Sequence, residues 1–226
     1  MPATPVPEPP PMRERYRAHV RHEVKQAALR QLAESGPAAV SVSAIGKQLG
    51  VSGPALYRYF TSRDELLTEL AIDAYHDLAD ALSAAVGRAP DPGAPARLEA
   101  LGRAYRAWAL AQPHRYRLLF GPPLPGYDAH AQRLVEAAQD SMTVLLEILR
   151  EPGDPAAAPP GQPLASQLSA WAHKHSLEAD PATALRAVLA WSRLHGFVSL
   201  EIAGNYASMS IDPDQVFEIQ LATLTA

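Results

Sequence analysis

One side of a short predicted helix, residues 53–60, carries groups that could bind nucleic acid. At 100° per residue, this helix turns Ala55, Leu56 and Phe60 inward. The opposite side holds two small residues, an arginine and a phenol, with a second phenol at its edge: Gly53, Pro54, Tyr57, Arg58 and Tyr59. Tyrosine hydroxyls can donate hydrogen bonds to phosphates, and an arginine can bind a guanine edge through two hydrogen bonds. This side therefore suits the major groove of DNA.

The residues just before this helix predict another short helix and a tight corner between the two. Ser43 can cap the first helix, and Gly50 can supply the left-handed residue that ends it. Ser52 can cap the second helix, whose first turn accommodates Pro54. Such a pair is the helix-turn-helix layout, in which the second helix reads the DNA. Two ordinary core helices would show the same spacing, so spacing alone leaves both interpretations open.

The segment that follows favours the DNA-binding interpretation. Ser62, with Glu65 three residues later, forms a capping box at the start of a third helix. That helix begins beside the predicted reading helix, so its first N–H groups could hold a phosphate. Arg63 could add a positive charge there.

Two segments resemble the DNA-binding domain of TetR/AcrR-type transcriptional regulators. They are K-Q-A-A-L-R-Q-L-A-E-S-G, residues 25–36, and S-V-S-A-I-G-K-Q-L-G-V-S-G-P-A-L-Y-R-Y-F-T-S-R-D-E-L-L, residues 41–67. The resemblance covers roughly residues 15 to 70. It implies an all-helical homodimer that binds a palindromic operator on double-stranded DNA and releases it when a small effector binds.

The same resemblance assigns roles to individual positions. Phosphate contacts are expected from five residues: Ser43, Ser52, Tyr57, Tyr59 and Arg63. Base contacts are expected from Gly53, Pro54 and Arg58. Relatives often carry a longer polar or basic residue where Gly53 stands, so the operator sequence does not follow from the resemblance.

Composition and charge agree with a DNA-binding end and a separate body. The 226 residues are 47% hydrophobic, and cysteine is absent, which excludes disulfides and thiolate metal sites and fits a cytoplasmic location. Neither a signal peptide nor an uncharged apolar run of membrane-spanning length is evident. The net charge is −4, but residues 1–63 hold nine Lys/Arg against four Asp/Glu, a net of +5. That asymmetry would steer one end of the molecule toward DNA.

Helical periodicity predicts an all-α protein with an arm and two domains. Residues 1–12 contain six prolines and are predicted to be a disordered arm; a ligand for a proline-recognition domain is the alternative. The DNA-binding domain is predicted over 13–62, and the regulatory domain over 63–226, with 63–86 as a linking helix. Helix 13–35 should bury a stripe at Tyr16, Val20, Val24, Ala27, Ala28 and Leu32. Its early arginines could contact phosphate or form a solvated face: Arg13, Arg15, Arg17 and Arg21.

The regulatory domain should contain helices over 97–111, 114–120, 128–150 and 164–175, followed by two C-terminal helices. The inward stripe of helix 128–150 is predicted to be Leu134, Val135, Ala138, Met142, Leu145, Leu146 and Leu149. Helix 182–203 is apolar on nearly all sides, so it needs cover on more than one. Small residues also step along it: Ser192, Gly196, Ser199 and Ala203. We therefore predict that helices 182–203 and 213–225 form a four-helix dimer interface. The segment W-S-R-L-H-G, residues 191–196, is similar to the signature of the WHG-type TetR C-terminal subgroup.

Six side chains could line an effector cavity: Tyr105, Trp108, Tyr116, Trp171, Trp191 and His195. Aromatic residues at helical spacing can equally be plain core, and His195 can be a hydrogen-bonded core histidine. The histidine pairs lack metal-ligand spacing, and no cofactor is expected. Without a nucleophile motif or a phosphate loop, the chain is not expected to be an enzyme. A DNA-binding architectural protein without a ligand is the other alternative.

Overall fold

The computed structural model of the chain describes residues 11–121, 127–128, 131–150 and 160–225. These residues contain helices, turns and loops without a β-strand, which confirms the predicted all-α fold class. Most of the predicted proline-rich arm, residues 1–10, lies outside the described residues. The chain divides into two compact units, Met1–Leu70 with Pro123–Tyr127 and Ala71–Pro122 with Asp128–Ala226.

The first unit is built from α1 (Met12–Ser35), a 3₁₀ turn (Pro37–Ala39), α2 (Val42–Leu49), α3 (Gly53–Leu56) and the start of α4 (Arg63–Gly87). Helix α1 packs on α2, and α2 packs on α3. Its fully buried side chains come from all four helices and from the end of the turn after α3: Val24, Ala27, Ala28, Ile45, Leu56, Phe60, Leu66 and Leu67. The predicted stripe on α1 is wrong at its beginning, because Tyr16 is 65% exposed. The first two turns of α1 bury nothing, so burial begins at Val24.

In its described residues, the second unit contains the rest of α4 and seven further helices. They are α5 (Ala94–Ala111), α6 (Pro113–Phe120), α7 (Gln132–Leu149), α8 (Leu164–Lys174), α9 (Pro181–Ile202), α10 (Asn205–Ser208) and α11 (Pro213–Thr225). Helix α9 contacts α5, α7, α8 and α11, so it forms the centre of this unit. The short α10 was not predicted, and α5 begins three residues earlier than predicted, because Gly93 and Pro95 suit a helix start.

Helix α9 begins as predicted at an Asp-Pro pair. The Asp180 carboxylate accepts hydrogen bonds from the backbone N–H groups of Ala182, at 2.8 Å, and Thr183, at 3.0 Å, and Pro181 occupies the first helical position. These bonds satisfy two N–H groups that have no partner inside the helix. The hydrogen bond from the Thr183 backbone holds the pKa of Asp180 below its ordinary value.

An ion-pair cluster ties three helices of the second unit together. The Arg106 guanidinium on α5 contacts both Glu201 on α9, at 2.6 Å, and Asp214 on α11. It also lies 4.8 Å from the centre of the Phe217 ring, a cation–π distance. Hydrogen bonding to Glu201 raises the pKa of Arg106 further above its ordinary value, so the charge is permanent.

In the described part of the chain, no helix is both long and apolar enough to cross a membrane.

Candidate nucleic-acid interface and ligand cavity

Helix α2 begins at a serine cap, and two glycines lie at or near its corner with α3. The N-cap of α2 is Ser41, whose Oγ accepts from the Ala44 N–H at 3.3 Å, so the prediction that Ser43 caps this helix is wrong. Gly50 has φ +66°, the left-handed C-cap that was predicted. A Cβ on Gly46 would lie 3.0 Å from the Val51 carbonyl oxygen. A larger residue at position 46 would therefore require the Val51 carbonyl to shift by a few tenths of an ångström.

The second helix of the pair is shorter than predicted. Helix α3 ends at Leu56, and the chain continues as a tighter turn in which Tyr59 N–H donates to the Leu56 carbonyl at 2.9 Å. Pro54 lies in the first turn as predicted, while Ser52 occupies the N-cap position without a side-chain capping bond. The turn continues the helical path in 3₁₀ form, so residues 53–60 keep the inward and outward sides that were predicted for them.

The exposed side of this segment carries the residues predicted to bind DNA. Leu56 and Phe60 are fully buried, whereas Tyr57 is 48% exposed. All eight predicted DNA-contacting residues are exposed or half-exposed, and seven of them lie here and on α2: Ser43, Ser52, Gly53, Pro54, Tyr57, Arg58 and Tyr59. We call these seven residues the reading surface.

The eighth residue, Arg63, is engaged by the protein itself. Its guanidinium donates to the carbonyl oxygens of Val40, at 3.0 Å, and Pro37, at 2.7 Å. It thus fastens the start of α4 to the connection between α1 and α2. We therefore leave Arg63 out of the reading surface, although the resemblance placed a phosphate contact there.

The start of α4 shows the predicted capping pair with one change. Ser62 Oγ accepts from the Glu65 N–H at 3.0 Å, as expected for a capping box. The Glu65 carboxylate, however, accepts from the side chain and backbone of Thr61 rather than from the Ser62 backbone. The Thr61 hydroxyl lowers the pKa of Glu65, so this carboxylate stays ionised.

Arg21, one of the four early arginines predicted to contact phosphate or to form a solvated face, is engaged within the protein and only partly exposed. Its guanidinium donates to the Tyr59 carbonyl oxygen, lies 4.4 Å from the centre of the Phe60 ring, and pairs with Glu69 at 3.1 Å. Arg21 therefore fixes the end of the turn that follows α3 against α1 and α4. We call this turn, residues 57–60, the reading turn. The other early arginines are exposed: Arg13, Arg15 and Arg17.

The second unit contains a partly open cavity of about 420 Å³. It is lined from α4 by Tyr75, Leu78 and Leu82, and from the remaining helices and loops by Leu101, Tyr105, Leu119, Phe120, Leu134, Val135, Ala138, Gln139, Ser141, Met142, Leu145, Trp171, His175, Leu177, Trp191 and Leu194. Three of the six residues predicted for an effector cavity are among them, namely Tyr105, Trp171 and Trp191.

The other three predicted cavity residues lie in the surrounding core. The Trp108 indole N–H donates to Asp77 at 2.8 Å. The Tyr116 hydroxyl is 3.0 Å from His195 Nδ1 and 2.7 Å from Ser199 Oγ. Burial raises the pKa of Tyr116 and lowers the pKa of His195, so both groups are neutral there. For Trp108, Tyr116 and His195 the core interpretation is the better one.

Much of the cavity wall was missed because its residues had been taken for core. Val135, Ala138 and Met142 belong to the predicted inward stripe of α7, but they are only half-buried and face the cavity. Gln139 and His175 also line it, with 2.7 Å between Gln139 Nε2 and His175 Nδ1. No group of three metal-ligating side chains occurs among the residues that the structure describes.

Comparison with known proteins gives consistent matches along the chain. A family model described as "Bacterial regulatory proteins, tetR family" matches residues 26–70, and one described as "Tetracyclin repressor-like, C-terminal domain" matches residues 98–224. The HTH-type transcriptional regulator Rv1816 of Mycobacterium tuberculosis is 35% identical, over 93% of this chain and 92% of its own.

Solved structures match as well. The crystal structure of SCO4313, named as a regulatory protein, has a TM-score of 0.80 and 42% identity, over 95% of this chain and 98% of its own. A Rhodococcus protein of unknown function has a TM-score of 0.69 and 26% identity, over 91% and 93% of the two chains.

Proposed function

The chain belongs to the tetR family of bacterial regulatory proteins, and from that premise we propose that it is a homodimeric repressor relieved by a small, largely apolar effector. As a member of this family it is a DNA-binding transcriptional regulator and not an enzyme. The operator is proposed to be a pseudo-palindrome on chromosomal DNA in the cytoplasm.

The observation that carries the proposal for DNA binding is the exposure of the reading surface. Exposed Tyr57 and Arg58 follow a helix whose Leu56 is fully buried. In this assignment Arg58 reads a base edge, and the hydroxyls of Tyr57 and Tyr59 bind phosphates. Gly53 and Pro54, without long side chains, allow the backbone to lie close to the bases.

The proposal for a dimer rests on the exposed side of α9 and α11. Leu189 and Leu200 on α9 are 52% and 44% exposed, and Ile219 on α11 is 68% exposed. A Cβ on Gly196, between the two leucines, would meet nothing within 4 Å in its own chain. Large apolar side chains left in water, with a small residue between them, suit the face of a second copy.

The proposal for effector control rests on α4. Tyr75, Leu78 and Leu82 of this helix line the cavity, and the same helix begins at Arg63, three residues after the reading turn ends at Phe60. An effector in the cavity contacts α4 directly, so a shift of α4 can change the spacing of the two reading surfaces in the dimer. This would lower operator affinity by favouring a state that fits the half-sites poorly.

The test begins with selection of bound DNA from a random pool by the full chain. The selected sequences should form a pseudo-palindrome with half-sites about one helical turn, roughly 34–36 Å, or a multiple apart. The affinity for that operator is then measured by fluorescence anisotropy with and without a panel of apolar metabolites. Enrichment of a single, unpaired half-site would contradict the dimeric repressor.

A DNA-binding protein without an effector is the second candidate. It predicts the same operator but no response to any compound. The cavity of about 420 Å³ favours the effector-responsive protein, because that volume falls in the usual range for small-molecule sites.

A further inference from the structure

We propose that the cavity selects an uncharged, mainly apolar molecule whose one hydrogen-bonding group binds the Gln139–His175 pair. This inference deepens the proposed function, because it names the chemical class of the effector and the side chains that anchor it. It rests on the proposed function only for the claim that the bound molecule acts on DNA binding.

The cavity wall offers no counter-charge to an ionised ligand. Among the described residues that line it there is no Asp, Glu, Lys or Arg. Aromatic and aliphatic side chains make up most of the surface, and five of them are aromatic: Tyr75, Tyr105, Phe120, Trp171 and Trp191. An ionised group that leaves water without a partner is strongly destabilised, so a carboxylate or an ammonium ion would bind poorly.

The Gln139–His175 pair places polar atoms on this wall where two helices meet the cavity. The contact of 2.7 Å between Gln139 Nε2 and His175 Nδ1 joins α7 to α8. It uses one polar atom of each side chain. Within the described part of the chain, the amide oxygen of Gln139 and Nε2 of His175 have no other hydrogen-bond partner and remain for a ligand. Together they can donate one hydrogen bond and accept another when the imidazole is neutral. A hydroxyl, a carbonyl or an amide group matches them.

The experiment compares three probes that share one alkyl chain and differ in charge. Decan-1-ol, decanoate and decylammonium are titrated into the full chain at pH 8, and binding is followed by tryptophan fluorescence and confirmed by calorimetry. The alcohol should bind at least tenfold more tightly than either ion, since only the ions must leave water without a counter-charge. Equal or tighter binding of decanoate or decylammonium, or no binding of the alcohol, would overturn the inference.

A pair of variants tests the anchor. Gln139→Leu keeps the bulk of the side chain but removes its amide, and it should weaken binding of decan-1-ol roughly fivefold to tenfold, as expected for one lost hydrogen bond. Gln167→Leu, on the exposed side of α8, is the matched control and should leave the affinity unchanged. An unchanged affinity in a folded Gln139→Leu protein would exclude the pair as the anchor.

The affinity for the selected operator is measured separately in the presence of each probe. If decan-1-ol binds through Gln139 and the operator affinity stays the same, the inferred chemical class of the ligand is supported. The proposed relief of repression by that ligand is then wrong. If an ion proves the best ligand and DNA is released, the ligand class fails and the proposed function stands.

Discussion

At the scale of single residues, three arginines of the first unit have different surroundings, which their residue type alone does not predict. Arg58 is exposed on the reading surface. Arg21 lies over the Phe60 ring, and Arg63 binds the carbonyl oxygens of Pro37 and Val40. Only the first is free to read a base without disturbing the fold.

Arg58→Ala and Tyr57→Phe should therefore change DNA binding in different ways. Loss of Arg58 should relax the preference at one base pair of each half-site by about 1–3 kcal/mol. Loss of the Tyr57 hydroxyl should weaken binding to all sequences alike, because a phosphate contact carries no sequence information. Anisotropy on the operator and on single-base variants separates the two effects.

The matched controls are Arg88→Ala, an exposed arginine of the second unit, and Tyr206→Phe on α10. Both should leave operator affinity and sequence preference as they are. If Arg58→Ala and Tyr57→Phe also change nothing, the assignment of the reading surface is wrong.

Arg21 should act on DNA binding through position rather than contact. Arg21→Met retains the packing of the aliphatic stem but loses the hydrogen bond to the Tyr59 carbonyl and the pair with Glu69. We expect weaker binding to every sequence, together with a lower melting temperature, because the end of the reading turn loses its support. Reduced affinity at an unchanged melting temperature would instead indicate a direct phosphate contact. Arg30→Ala, at an exposed position further along α1, serves as the comparison.

At the scale of helices, strong local signals were sufficient to predict the fold. The Asp180-Pro181 start of α9 and the left-handed Gly50 both stand where the sequence places them. The cap of α2 was misplaced by two residues, since Ser41 and Ser43 are equally good caps by type. Helix α3 was predicted too long, because only hydrogen-bond geometry distinguishes a 3₁₀ turn from a further turn of α-helix.

The cavity could be predicted only in part for a related reason. Helical spacing shows which residues of α7 face inward, but it does not show whether a neighbour fills the space they face. Met142 and Val135 thus belong to a predicted core stripe and line an empty volume. Trp108, predicted for the cavity, is instead held in the core by its bond to Asp77.

Asp180→Ala should remove the cap of α9 and cost about 1 kcal/mol of unfolding free energy, within a range of roughly 0.5–2. The pKa of Asp180 is lower in the folded state than in the unfolded state. The stabilisation is therefore complete above the ordinary aspartate pKa of about 3.9, and it is lost as the pH falls through the lower folded value.

Urea unfolding at several pH values checks this expectation. Asp80→Ala, at an exposed position inside α4, is the matched aspartate control and should show no such loss. If Asp180→Ala still lowers the free energy of unfolding at the lowest pH, the cap does not depend on an ionised carboxylate.

At the scale of the whole molecule, charge is divided between the two ends of the sequence. Residues 1–63 carry a net charge of +5, while the chain as a whole carries −4. Operator affinity should consequently fall with salt, by about 0.9 in the logarithm for each tenfold rise in salt per phosphate neutralised. Replacement of Arg13, Arg15 and Arg17 by alanine should reduce that slope by about 0.9 or more, which is the contribution of at least one neutralised phosphate. An unchanged slope would identify these arginines as a solvated face.

Dimerisation is tested at the exposed face of α9. Leu200→Lys places a charge in the proposed interface, so light scattering at micromolar concentration should show a monomer, and operator affinity should fall. Leu164→Lys, at a similarly exposed leucine of α8, should leave both unchanged. A wild-type protein that is a stable monomer would contradict the proposed interface outright.

The continuity of α4 across both units has a consequence for how such a regulator can evolve or be redesigned. Tyr75, Leu78 and Leu82 belong to the same helix whose first turn Arg63 fastens to the connection between α1 and α2. Under the proposed control through α4, substitutions there that admit a new inducer would also reset basal expression in its absence. Biosensor libraries that randomise α5 and α7 instead could change which inducer binds while leaving basal expression in its absence unchanged.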